Sequence, residues 1–112
     1  MFIEIIFPNK KNLIVGCIYR HPSSKISIQC FANDQLDPVL QKISLEKKQC
    51  VLMGDFNIDL LKTDTNNDTN TFYNNMSSHY FTPFILQPTR LHSKALIDNI
   101  FFNCLEYISS RY

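Results

Sequence analysis

A chain of 112 residues, 45% hydrophobic and 19% charged, is sized for one ordinary domain, is too short for two, and falls outside the disordered class. Its formal net charge of +1, without a basic tail, excludes nucleic-acid binding driven by bulk electrostatics, so any such role must rest on a local site. The four cysteines, at 17, 30, 50 and 104, form no C-x-x-C pair and no Cys/His spacing of a zinc site, and they read as free thiols in a reducing compartment.

Phe2 to Phe7 (FIEIIF) is apolar and rich in β-branched residues, and Pro8-Asn9 closes it, which predicts a strand and a turn. Leu13 to Tyr19 (LIVGCIY) predicts a second strand, hairpin-paired to the first. It is apolar on both faces, which asks for a layer above and a layer below. Arg20 to Ser27, with Pro22 and three serines, reads as a loop. Leu36, Val39, Leu40 and Ile43 then fall at helical spacing among polar residues, an amphipathic helix with one buried stripe. Its start is set either by Asp37 capping a first turn that holds Pro38 or by Asn33 one turn earlier.

Cys50 to Gly54 predicts a buried strand running into MGDFNIDLL (Met53 to Leu61), where an apolar run stops at Gly54 and an acid, an aromatic and an amide follow. If extended geometry persists, Asp55 and Asn57 point the same way, because side chains alternate across a strand. The same residues also suit a plain turn. After Leu61 comes a polar run, read as an exposed loop, and a short helix over Thr71 to Tyr80 capped by Thr69 or Asn70. Its Asp64 and Asp68 lack the spacing, the glycine and the glutamate of a calcium loop. Phe81 to Gln87, interrupted by Pro83, predicts an edge strand. Ala95 to Phe102 predicts the last strand, in which Asp98 needs a partner, since an acid in an apolar strand is costly to bury alone.

The order β-β-α-β-α-β-β predicts an α/β (α+β) sandwich with helices outside stacked sheets. With only Gly16 and Gly54 in the chain, glycine-rich phosphate loops and a doubly wound nucleotide fold are excluded. The N-terminus lacks the layout of a secretory signal and no apolar run approaches the ~20 residues of a membrane span. The expectation is a soluble intracellular protein, nuclear or cytoplasmic, with no membrane partner.

Four fragments stand out together: Tyr19-Arg20-His21-Pro22, Gly54-Asp55-Phe56-Asn57, Pro88-Thr89-Arg90, and Leu96-Ile97-Asp98-Asn99-Ile100-Phe101, the last preceded by Ser93. In this order and at these separations the chain resembles the endonuclease/exonuclease/phosphatase family, and within it the endonuclease domain of non-LTR (LINE-type) retrotransposon reverse-transcriptase proteins. The resemblance spans Ile14 to about Asn103. It implies the central part of a four-layer α/β/β/α sandwich with mixed, largely antiparallel sheets, and a phosphodiester hydrolase that uses magnesium and acts on DNA. Carried over by position, Asp55 matches the carboxylate that activates water and Asn57 the amide that holds the scissile phosphate. Tyr19 matches a tyrosine bonded to that phosphate and Thr89 a hydroxyl residue beside the cleft. Asp98 matches the acid that orients a catalytic histidine.

The departures from the family pattern are as specific. The family's metal-binding glutamate precedes its Tyr-Arg motif, whereas Glu4, the one acid before Tyr19, sits in no recognisable motif, so no metal ligand is assigned. The family's closing Ser-Asp-His has no counterpart in Ser109-Ser110-Arg111-Tyr112, and His21, His79 and His92 fall in loop or helix contexts, as surface histidines do. Residues 1–112 are thus expected to form a single partial domain, inactive alone, self-associating through open sheet edges. The competing reading is a non-catalytic phosphate-binding or interaction module derived from the same fold.

Overall fold

The structure is a computed structural model that describes residues 1–8, 10–89, 92 and 94–103. Arg90 and Ser93 of the motifs above, Cys104, and the tail from Glu106 to Tyr112 lie outside the described residues.

One five-stranded sheet organises the chain. Strands β1 (Phe2–Ile5) and β2 (Leu13–Tyr19) form the expected hairpin, with Phe2 opposite Gly16 and Ile5 opposite Leu13. A helical crossover then returns the chain so that β3 (Gln49–Asp55) runs parallel to β2, with Leu13 beside Gln49 and Tyr19 beside Asp55. Strand β5 (Asp98–Asn103) lies antiparallel on the other side of β3, and β4 (Phe81–Pro83) pairs antiparallel with the outer side of β5. The order is β1-β2-β3-β5-β4, a mixed and largely antiparallel sheet.

The crossover becomes helical earlier than the sequence pattern indicates. Ser27 caps helix α1 (Ile28–Cys30), its hydroxyl accepting the Cys30 N–H at 3.1 Å. The chain passes through a wider π-helical stretch (Phe31–Leu36) into helix α2 (Asp37–Leu45) without leaving helical geometry. Pro38 explains the widening. It has no N–H to give and its ring would strike the carbonyl one turn back, so the bonds shift to the longer register, with the Asp37 N–H donated to the Ala32 carbonyl. Helix α3 (Asn67–Ser78) also starts before the expected Thr71, because the Asn66 side chain accepts the N–H groups of Asp68 at 2.9 Å and Thr69 at 3.1 Å.

The core lies between the helices and one face of the sheet. Leu36, Leu40 and Ile43 from the crossover helix and Phe72 and Met76 from α3 close on Cys50 and Leu52 of β3, Phe81 of β4 and Phe101 of β5. The Cys50 thiol is pushed up to about 12 by burial, so it packs as an inert small hydrophobe. On the opposite face Val15, Val51, Met53, Ile100 and Phe102 are uncovered by any described residue layer, and an open groove of about 700 Å³ runs over Leu13, Val51, Ile100 and Phe102. The described residues build one helical layer and one sheet of the expected sandwich. No described helix is long and apolar enough to cross a membrane.

Candidate functional site

Three of the sequence-selected residues meet on a single rung at one end of the sheet. Tyr19 of β2 pairs with Asp55 of β3, which pairs with Asp98 of β5. Residues side by side on a rung present their side chains to the same face, here the open one, with Cα atoms of the antiparallel pair roughly 4.5–5.5 Å apart. The tyrosine is 67% exposed, so its ring and hydroxyl stand at the mouth.

Gly54 makes this end of β3 constructible. Its φ is +147°, and a Cβ there would lie 1.8 Å from the Ile18 carbonyl oxygen of β2, so no side chain fits. Phe56 then turns inward, 1% exposed, with its ring 5.4 Å from Phe101 and 5.6 Å from Phe72 in tilted and edge-on contacts. The aromatic of the Gly-Asp-Phe-Asn motif is therefore an anchor that seats the acid before it.

Extended geometry does not persist to Asn57, whose φ is +51°, a left-handed conformation that asparagine tolerates better than most residues. Its backbone N–H donates to the Asp55 carboxylate at 3.0 Å, and its side-chain amide donates to the Arg20 carbonyl. Arg20 answers from the other side. Its N–H donates to the Asp55 carbonyl at 2.8 Å, and its guanidinium donates to the Asn57 carbonyl at 3.5 Å and the Ile26 carbonyl at 2.9 Å while lying 5.8 Å from the Phe31 ring centre. The two residues clamp each other, and the clamp fixes the carboxylate through the Asn57 N–H. The motif read from sequence contained Arg20 without a role; two carbonyls brought together by the fold for a forked donor gave no signal in one dimension.

Thr89 is likewise committed to the backbone. Its hydroxyl accepts the N–H groups of Ile97 and Asp98, each at 3.3 Å, and its own N–H donates to the Ala95 carbonyl at 2.9 Å. It sets the entry of β5 and with it the position of Asp98. Two further residues hold this end together. Asp59 accepts the N–H groups of Leu61 at 3.1 Å and Leu96 at 2.9 Å, and the amide of Asn99, on a residue 3% exposed, bonds both backbone groups of Ile85 at 3.1 and 2.9 Å. An aspartate before Leu-Leu-Lys is a cap signal that the sequence did offer for Asp59.

The remaining candidates sit elsewhere. Glu4 is on the edge strand beside Ile14, at the opposite end of β2 from Tyr19, where it bonds Asn12 at 2.8 Å and Lys48 at 3.1 Å. The Nε2 of His79 is 2.9 Å from an Asp37 carboxylate oxygen on the helical side. The ring of His21 stands edge-on to Tyr19 at 6.2 Å, and its Nδ1 accepts the Ser23 N–H at 3.0 Å. His92 is an exposed turn residue. Among the described residues no three His, Cys, Asp or Glu side chains converge as metal ligands, so Asp55 and Asp98 do not by themselves make a protein-held magnesium centre. What the rung offers chemically is two neighbouring carboxylates and a phenol on one open face. That set suits proton transfer to and from a bound molecule and draws positive charge to this end of the sheet.

No family model matches the chain, and no curated protein matches it either. A solved structure does: an endonuclease/exonuclease/phosphatase family protein from Leptotrichia buccalis C-1013-b aligns with a TM-score of 0.51 at 20% identity, over 91% of this chain and 41% of that one. The chain thus spans about two-fifths of the length of the protein it resembles. It shares the fold of part of that protein, seen here as a mixed sheet with helices on one face.

Proposed function

We propose that this chain is part of a phosphodiester-hydrolase domain of the endonuclease/exonuclease/phosphatase type, derived from a retroelement DNA endonuclease and without nuclease activity on its own. The observation that carries the reading is the rung itself, since the folding brings Tyr19, Asp55 and Asp98, drawn from three separate motifs, onto one face of one strand end. In this reading Asp55, steadied by the Asn57 N–H, takes the proton of the attacking water. The Tyr19 hydroxyl donates to the phosphate, and Asp98 orients an acid/base group on the far side of the cleft. Asn57 and Thr89 act mainly by fixing Asp55 and Asp98 in place. No residue of this chain is matched to the family's metal-binding glutamate or to the histidine that Asp98 would orient, and losing acid/base help alone costs about 10²–10⁴ in rate. The test is a magnesium-dependent plasmid-nicking assay on the purified chain. No nicking above background is the expected result; nicking that disappears in Asp55→Ala would overturn the claim of inactivity.

A second reading, a non-catalytic interaction module, is favoured by two side chains that the family resemblance places at the phosphate or beside the cleft but that here bond backbone: the Asn57 amide donates to the Arg20 carbonyl and the Thr89 hydroxyl accepts the Ile97 and Asp98 N–H groups. Magnesium titration followed by NMR separates the two. Shifts centred on Asp55 and Asp98 support the hydrolase ancestry of the site and count against the module.

A further inference from the structure

A small cleft opens beside the rung, where β2 runs into its loop. One wall is formed by Tyr19, Arg20, His21 and Ser24, and the wall across from it by Phe31 and Gln35 of the π-helical stretch. Tyr19 borders both the cleft and the rung. The open space is about 140 Å³, well below the ~300–1,000 Å³ of sites that take a drug-sized molecule, so the cleft is sized for one small group. Arg20 indicates which kind. Its side chain is half-buried, yet it forms no ion pair among the described residues: the guanidinium bonds the carbonyls of Asn57 and Ile26 and lies over the Phe31 ring, all of them neutral. Its Nε is buried without a hydrogen-bond partner. A cation drawn out of water favours an anion that offsets its charge, and an unmade N–H bond adds its own desolvation cost.

The rest of the wall carries donors left over from local bonds. The Nδ1 of His21 accepts the Ser23 N–H at 3.0 Å, which puts the proton of the neutral ring on Nε2. The Ser24 hydroxyl oxygen accepts the Ile26 N–H at 3.2 Å and keeps its own proton to donate. The amide of Gln35, about one widened turn along from Phe31, makes no hydrogen bond among the described residues. No acidic side chain among the described residues lines the cleft. We propose that this cleft binds a phosphate group, held by the Arg20 guanidinium with the His21 Nε2–H, the Ser24 hydroxyl and the Gln35 amide as further donors. Donors converging from two walls suit a tetrahedral anion with acceptors on every side better than a planar carboxylate. Asp55 and Asp98 on the neighbouring rung repel an anion unless a cation offsets them, so the group settles on the loop side of Tyr19. In the hydrolase reading, on which this one step rests, the cleft takes the phosphate next to the cleaved one along a nucleic-acid strand. The anion site itself needs only the residues named.

The test titrates the whole chain, without magnesium, with inorganic phosphate and separately with a thymidine dinucleotide joined by one phosphodiester. Proton–nitrogen NMR spectra read the Arg20 Nε–H and the backbone amides of His21, Ser24 and Gln35. Saturable shifts at these groups are expected, half-complete at about 1 mM phosphate, with none from sodium chloride or sodium acetate at equal ionic strength. Tighter binding of the dinucleotide assigns the group to a strand backbone, and tighter binding of inorganic phosphate assigns it to a terminal phosphate. Arg20→Gln is expected to abolish the shifts. Because Arg20 also holds Asn57, the second arm is the double variant His21→Ala/Gln35→Ala, at two exposed positions outside that clamp. It is expected to weaken binding at least fivefold and to leave the rest of the spectrum unchanged. The proposal is overturned by the absence of saturable shifts, by an equal response to acetate or chloride, or by a double variant that binds as tightly as the parent chain. A flat response to phosphate leaves the magnesium titration of Asp55 and Asp98 standing as the test of the hydrolase reading, so the two fail separately.

Discussion

The two faces of this sheet are built from alternate residues of the same strands and have opposite fates. On β3, Cys50 and Leu52 are fully buried, while Val51 and Met53 between them stay partly exposed; on β5, Phe101 is fully buried beside Phe102, which is not. The inner set meets a cluster of aromatic rings from three elements: Phe56, Phe72 and Phe101 contact one another with centroids 5.4 to 6.0 Å apart. The outer set faces the groove, where Phe102 has Phe84 edge-on at 6.2 Å. Period-two alternation determines which side chains share a face, but whether that face is covered depends on what else the chain brings to it.

Neighbouring phenylalanines give the sharpest way to break this contrast. Phe101→Ala is expected to cost about 3–5 kcal/mol, since it removes a ring from a close-packed cluster and leaves a cavity. Phe102→Ala is expected to cost about 1 kcal/mol, since its ring is only half-buried and packs edge-on against Phe84 beside an open groove. Urea unfolding at low concentration measures both. Equal losses would mean that the two faces are equally covered in solution.

The strands were legible in the sequence to different degrees for reasons visible in the structure. Leu13–Tyr19 is read to the residue, because an unbroken apolar run bounded by polar residues admits few alternatives. The start of β5 shifts from Ala95 to Asp98, since the residues before it bond the site loop instead. The Ile97 carbonyl accepts the Phe56 N–H at 3.0 Å and the Leu96 carbonyl the Leu60 N–H at 3.1 Å. Hydropathy does not distinguish an apolar residue in a ladder from one pinned under a loop. The first turn of α3 was hidden for the opposite reason, because its polar Asn-Asp-Thr-Asn run buries Thr69 at 3% exposure with no apolar signal. At the site, motif order identified Tyr19, Asp55 and Asp98 as a set. The Arg20–Asn57 clamp was not legible, since it depends on a positive φ and on carbonyls 37 residues apart in sequence.

A second way to sharpen the comparison acts on the hinge between the faces, at Gly54, where the strand hands Asp55 to the open face and Phe56 to the core. Gly54→Ala is expected to destabilise by about 2–4 kcal/mol, combining the strain of a positive φ with a clash between the new Cβ and the Ile18 carbonyl that neither backbone can relieve cheaply. Gly16→Ala is the internal control. There the new Cβ would meet side-chain atoms, the Phe2 ring at 2.4 Å, which sits on an edge strand and can move aside, and the methyl tip of the buried Leu52 at 2.6 Å, which must shift but is not backbone. Thermal unfolding of the pair reads the difference, and a Gly16→Ala loss as large as that of Gly54→Ala would contradict the argument from backbone against side-chain contact.

The smallest expected effect belongs to the far end of the sheet, where Glu4 of β1, Asn12 and Lys48 tie the edge strand to the turn before β3. The hydrogen bond from Asn12, then that from Lys48, holds the Glu4 carboxyl below its ordinary value of 4.5, and the bond to Glu4 holds Lys48 above 10.5. A depressed carboxylate stabilises the folded state above its unfolded pKa and loses that contribution as pH falls through the folded one, so the Glu4 part fades below about pH 4.5. A raised lysine works in the other direction: its part is present below pH 10.5 and is lost as pH rises past its folded value. Both side chains keep about a third of their surface in solvent, 33% and 31%, so salt screens the pair and its effect on global stability is small. Glu4→Gln should therefore leave the unfolding midpoint at pH 7 nearly unchanged while removing part of the acid-side slope below about pH 4.5 in low salt. Amide exchange on β1 is the more sensitive reading, because a four-residue edge strand opens locally long before the sheet does. Faster exchange at Ile3 and Ile5 in the variant, with β3 unaffected, is the expected pattern. Uniform protection across both strands would show that the face packed against β1, and not this ion pair, is what holds the edge in place.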